Sequence, residues 1–146
     1  MDQKRTQGLA SKGLPGDGWT EIADDGFIDL VGPFFHRKVD KVHEYAVVAQ
    51  PKHRNLRGVV QGGMLMTFAD RTMGLAAYQE VRQHVVTIQM DSQFLDSADI
   101  GDVLLSAPRV SRATRSVVFM TTEVKVAARC IILANAVFKI VRPKGE

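Results

Sequence analysis

Gly62-Gly63-Met64-Leu65-Met66-Thr67-Phe68-Ala69-Asp70-Arg71-Thr72-Met73-Gly74-Leu75-Ala76-Ala77-Tyr78 is the run whose reading decides the fold. It is too long for a strand and rich in Ala, Leu and Met, so it predicts one helix opened by a glycine pair. Within it, Asp70 is the residue that packing explains least, because burying a lone carboxylate costs several kcal/mol. The group must be exposed, paired, or kept for chemistry. At about 100° per residue, Met64, Leu65, Phe68, Thr72, Leu75 and Ala76 fall on the side away from Asp70 and should press into a sheet. Gly63, Met66, Thr67, Met73, Gly74 and Ala77 lie nearer to it. That face of small and flexible groups suits a close neighbour, either another chain's backbone or an elongated ligand.

Outward from the helix, residues 43–50 are β-branched and aromatic enough for a strand that Pro51 ends. A loop over 52–61 leads into the helix. Four strand-like stretches follow it, at about 84–95, 101–112, 115–126 and 128–141. The connections over 96–102 and at Ala113-Thr114 are short, which predicts consecutive antiparallel pairing. On the N-terminal side, residues 1–18 hold five glycines and prolines (Gly8, Gly13, Pro15, Gly16, Gly18) without apolar period, and read as a flexible or extended lead-in to a single domain over 19–146. Trp19 to Leu30 is a short amphipathic segment that Gly32-Pro33 breaks, and Phe34 and Phe35 are core anchors. One strand, a long apolar helix and four strands predict an α+β architecture: an antiparallel sheet curled around one buried helix, since only wrapping covers such a helix.

The composition narrows the classes of function. The chain has 146 residues, 45% of them apolar, enough for one domain with a real core. It contains no apolar run long enough for a membrane span and no apolar signal-type segment at its start, so a cytoplasmic protein without membrane association is expected. Cys130 is the single cysteine and no two histidines have ligand spacing, which argues against a disulfide framework and against a metal site. A net charge of +3 is a mild basic bias. It lacks the dense Lys/Arg tract of a nucleic-acid arm and suits anionic small molecules, so no nucleic-acid partner is expected. Arg109, Arg112 and Arg115 could hold phosphates, or could be edge-strand charges that discourage aggregation.

Glycines at 58, 62 and 63 let a ligand oxygen approach the unpaired N–H groups of the first helical turn, a ready oxyanion site. Gly62 and Asp70 are eight residues apart, so their backbones stand about 12 Å apart along the axis. One carbonyl cannot lie about 3 Å from both on the same helix. If both act in one reaction they come from different subunits, and the smallest solution is a two-fold dimer with paired interfacial sites.

The segment His53-Arg54-Asn55-Leu56-Arg57-Gly58-Val59-Val60-Gln61-Gly62-Gly63, with Asp70 nine residues after Gln61, resembles the PaaI-like branch of the hotdog-fold thioesterases. The family pattern is His-x-Asn-x-x-Gly-x-x-His-Gly-Gly followed by Asp, and Gly32-Pro33-Phe34-Phe35-x-Arg37 is similar to its Gly-Pro segment. The resemblance covers all but about the first two dozen residues. It implies a five- to six-stranded antiparallel sheet around one central helix, a homodimer, often a homotetramer as a dimer of dimers, and hydrolysis of an acyl-CoA thioester to acid and CoA. Beyond the substrate's own CoA it implies no cofactor.

By the same resemblance Gly62 donates the oxyanion N–H, and Asp70 of the partner subunit's helix is nucleophile or general base. Asn55 orients the water or the carboxylate, and Thr87 holds the same water. Gln61, Gly63, Met66, Met73, Arg112 and Arg115 are the expected substrate-binding positions. Gln61 replaces the family's usual His with a neutral amide that still donates and accepts. The pattern also lacks the Gly often found near Ala113-Thr114. The competing reading is a non-catalytic acyl-CoA binding or sensing protein on the same fold, but residues 1–30 are too short and Gly-rich for an effector domain. Hydratase chemistry would need a helix His that is absent.

Overall fold

The computed structural model describes residues 13–145, so the first twelve residues of the expected lead-in lie outside the described residues. In chain order the elements are β1 (Thr20–Glu21), α1 (Phe27–Val31), β2 (Phe35–Val39), β3 (Val42–Val48), α2 (Gly62–Val81), β4 (Val85–Phe94), β5 (Val103–Ser106), β6 (Arg109–Ala113), β7 (Val117–Val126) and β8 (Arg129–Ile140). The helix α2 is 20 residues long and starts on the glycine pair. It ends on Arg82, which adopts the left-handed conformation (φ 55°) and returns its N–H to the Tyr78 carbonyl at 2.8 Å. Glycine usually fills this capping role.

All the strands join one antiparallel sheet in the order β1-β2-β3-β5-β7-β8-β4, with β6 also on β7. Among the described residues the strand count is eight rather than five or six, for three local reasons. The stretch after Pro33 pairs back on β3 through Asp40 and Lys41, whose positive φ values (48° and 69°) suit a two-residue hairpin turn. The stretch 101–112 is broken at Ala107-Pro108, so β5 and β6 take different lengths of β7. Trp19 to Leu30, expected as one amphipathic segment, divides into β1 and α1.

Consecutive pairing holds for β6-β7 and β7-β8 but fails at β4. That strand pairs with β8, while β5 lies between β3 and β7. Segment 95–102 is therefore a crossing rather than a hairpin. Its backbone is used elsewhere: the Ala98 carbonyl accepts from Val60 N–H and the Asp102 carbonyl from Ala49 N–H, both at 2.8 Å.

The sheet closes around α2. Phe68, Ala69, Thr72, Met73 and Ala77 are fully buried, and Phe34 meets Phe68 edge-on at 5.2 Å between ring centroids. Each large apolar side chain removed from water in this way stabilises the fold by about 1.5–3 kcal/mol. One polar line crosses the core: Thr72 Oγ1 bonds Ser106 Oγ, which bonds Thr122 Oγ1, each at 2.8 Å. The buried hydroxyls thereby satisfy one another between helix and sheet. Among the described residues, no helix is long and apolar enough to cross a membrane.

Candidate active site

The loop before α2 is built from its own side chains. His53 is buried, accepts Gln50 N–H at Nδ1 (2.9 Å) and donates from Nε2 to the Val31 carbonyl (2.6 Å), tying the loop to the end of α1. Burial pushes its pKa below the ordinary value of 6.5; the hydrogen bond to Val31 opposes the shift and the Lys52 charge adds to it. Asn55 Oδ1 accepts Arg57 N–H (2.8 Å) and Val59 N–H (3.3 Å), an Asx arrangement that folds the turn through Gly58 at φ 89°.

The chain then enters α2 at Gln61, whose carbonyl accepts from the N–H groups of Met64 (3.0 Å) and Leu65 (3.2 Å). Among the described residues no backbone carbonyl accepts from Gly62 or Gly63 N–H, so the helix opens on two free donors. The Gln61 amide lies over Gly63, where an added Cβ would stand 3.1 Å from Oε1. At Gly62 an added Cβ would come within 3.2 Å of the Phe94 ring, so the start of the helix abuts the end of β4.

Further along, Asp70 is half-buried and its Oδ1 accepts a 2.7 Å hydrogen bond from Thr87 Oγ1, near the start of β4. The two residues are seventeen positions apart and meet because β4 runs antiparallel to α2. The structure thus brings together Asp70 with Thr87, and Gln61 with Gly62 and Gly63. Met66 is exposed midway between the two groups, at four-residue spacing from each of Gly62 and Asp70.

Three expected positions lie elsewhere. Met73 is fully buried and packs in the core rather than on an open face. A bulge at Ser111, not at Ala113-Thr114, pairs Arg109 with Thr121 and Arg112 with Phe119. Both arginines therefore point from the outer face of the sheet, opposite the helix. Arg115 is exposed in the β6-β7 turn. In that turn Thr114 Oγ1 accepts from Val117 N–H at 3.1 Å, doing with a side chain what a glycine would do by conformation.

Two cavities flank the row. One, of about 330 Å³, runs along α2 past Asp70, Arg71, Gly74, Tyr78, His84 and Phe138. Arg71 Nη2 there bonds Asp24 Oδ2 at 2.6 Å, while its Nε is buried with no hydrogen-bond partner among the described residues. The second, of about 490 Å³, lies between α1 and the start of α2 and is lined by Phe27, Val31, Lys52, Arg54, Gln61 and Gly63. Sequence reading missed Tyr78 and Phe138. The signal for Tyr78 was its place eight residues after Asp70 on one helical row; nothing local could place Phe138 beside Gly74.

Residues 57–129 match the model of the thioesterase superfamily. The chain is 32% identical over 117 residues to a Pseudomonas aeruginosa protein named "Putative esterase PA0474", covering 77% of this chain and 87% of that one. Among solved structures it is similar to a mutant of the phenylacetic acid degradation protein PaaI of Thermus thermophilus (18% identity, TM-score 0.72, 80% of this chain and 100% of that one). It is similar also to a hypothetical thioesterase of Streptococcus pneumoniae with coenzyme A (19% identity, TM-score 0.68, 74% of this chain and 85% of that one). At those identities the likeness is one of fold, the hotdog fold.

Proposed function

The chain belongs to the thioesterase superfamily, and on that premise we propose that it hydrolyses the thioester of an acyl-coenzyme A to the free acid and CoA. The reading is carried by one observation: Asp70 hydrogen-bonds Thr87 near one end of β4, while Gly62 packs on Phe94 at the other end. As the last strand in the sheet order, β4 has an edge that no strand pairs with among the described residues, and Val86, Ile88 and Phe94 are exposed on it. An unpaired, apolar edge of this length invites a second strand.

Two β4 edges pairing antiparallel about a two-fold axis near Met90 and Asp91, midway between Thr87 and Phe94, would set Asp70 of one chain beside the helix start of the other. This homodimer satisfies the axial separation that a single helix cannot. The thioester carbonyl then accepts the free Gly62 N–H at the positive end of α2, which stabilises the oxyanion. Thr87 holds Asp70 Oδ1, leaving Oδ2 for one of two routes: it takes a proton from the attacking water and passes it to the CoA sulfur as the C–S bond breaks, or it attacks the carbonyl, expels CoA thiolate and forms a mixed anhydride. On the second route water then cleaves the anhydride, releasing the acid, regenerating Asp70 and supplying the proton of the thiol. The CoA-bound Streptococcus pneumoniae relative supports the substrate class.

Thiol release from a panel of acyl-CoAs tests the activity. The shared site is tested by mixing two inactive variants, Asp70→Asn and Gly62→Pro. Proline removes the N–H and is tolerated at the first helical position; its added Cβ would stand 3.2 Å from the Phe94 ring, so the melting temperature of this variant is measured beside its activity. Random reassociation should restore about a quarter of the native rate, since half the dimers then carry one intact site. Hydrolysis by the native protein with no recovery in the mixture would place both groups in one chain's site and overturn the dimer.

A further inference from the structure

We propose that the groove from Asp70 to Tyr78 holds the acyl group and that Tyr78 closes its far end, limiting the substrate to straight acyl chains up to about octanoyl. The proposal rests on the thioesterase reading of Asp70. The two cavities differ in charge. The one at the start of α2 is lined by Lys52 and Arg54, cations that suit the phosphates of CoA. The groove beside Asp70 has no uncompensated cation among its lining residues, because Arg71 is neutralised by Asp24 at 2.6 Å.

The groove's walls past Asp70 are Gly74, Leu75, Val85 and Phe138, which suit a hydrocarbon. Gly74 lets the buried ring of Phe138 lie close against the helix as one wall: a Cβ there would stand 3.3 Å from it. At the end stand Tyr78 and His84, with ring centroids 5.8 Å apart. The guanidinium of Arg82, held by Gln79 at 2.9 Å, lies 5.9 Å from the centre of the Tyr78 ring. From Asp70 to Tyr78 the helix rises about 12 Å, and the contact radii at both ends leave an octanoyl-length gap.

The test is the chain-length profile of kcat/KM, from acetyl-CoA to palmitoyl-CoA, for the native protein and for Tyr78→Ala, Tyr78→Trp and Phe27→Ala. Tyr78 is partly exposed at the groove's end, so its variants should fold. The native profile should fall beyond octanoyl. Tyr78→Ala should raise the dodecanoyl-to-hexanoyl ratio by about ten-fold or more, and Tyr78→Trp should move the cut-off to shorter chains. Phe27→Ala, in the other cavity, should change all chain lengths alike. Turnover whose profile moves with Phe27 and not with Tyr78, or with neither, overturns the assignment. Absence of thiol release from every acyl-CoA overturns the hydrolase reading beneath it.

Discussion

The loop before α2 and the groove beside Asp70 are built on opposite plans. In the loop, His53 uses both ring nitrogens, Asn55 binds two backbone N–H groups, and Val60 N–H is tied to the crossing segment at Ala98. Along the groove, Asp70 has one hydrogen bond and Arg71 Nε has none among the described residues. A backbone donor that polarises a carbonyl must be fixed before the substrate arrives, since its value lies in avoided reorganisation. A carboxylate that moves a proton, or attacks, must keep an oxygen free. The stiff region and the open one divide those two demands between them.

The largest break in this comparison is Asp70→Asn. Turnover should fall by about 10²- to 10⁴-fold while the melting temperature stays near the native value, because the amide fills the same space and can still accept from Thr87. Native turnover in that variant would remove Asp70 from the chemistry. Asn55→Ala attacks the stiff region instead. It should cost about ten- to a hundred-fold in kcat through misplacement of the helix start, and about 1 kcal/mol of stability. A loss confined to stability would make Asn55 a turn residue and nothing more.

The smallest effect is that of pH on the loop and the β2-β3 hairpin. His53, His36 and His43 are all held below their ordinary 6.5, chiefly by burial; the His43 and Lys38 charges add to the effect at His36, and Lys38 does so at His43. Each is then protonated more readily in the unfolded chain. Their contribution is complete above about pH 6.5 and is lost as pH falls below it. Melting at about pH 5.5 should come at a lower temperature than at about pH 7.5, and His53→Gln should flatten part of the difference. Equal melting temperatures at the two values in the native protein would contradict the shifts.

Much of the wrapped architecture could be read along the chain, because it rests on local pattern. The composition of residues 62–78 gives a helix, Pro51 ends the strand before it, and the stretches after it become β4, β5 with β6, β7 and β8 within a few residues. Two strands escaped notice because β1 is two residues long and β2 carries His36, Arg37 and Lys38, with no clean alternation. The wrong partner for β4 has a different cause. A short connection favours a hairpin only if its backbone has no better use, and residues 96–102 are bonded to the segments around Ala49 and Val60.

By itself the sequence determined that one helix starts at Gly62 and runs past Asp70, though α2 continues to Val81 beyond the run that ends at Tyr78; the separation of Gly62 from Asp70 follows from a fixed rise per residue that no packing alters. The Asx turn at Asn55 is as local, closing over four positions, but it was the structure that showed it. Only the tertiary structure decided that Thr87 meets Asp70, that Phe94 covers Gly62, that Met73 turns inward and that Arg109 and Arg112 turn outward. The contacts of Thr87 and Phe94 depend on β4, which pairs with β8 and shifts register between Thr87 and Gln89, and the arginines' direction depends on the bulge at Ser111. A single-residue shift of register reverses a side chain's face, and the energy that fixes the register comes from contacts far apart in the chain.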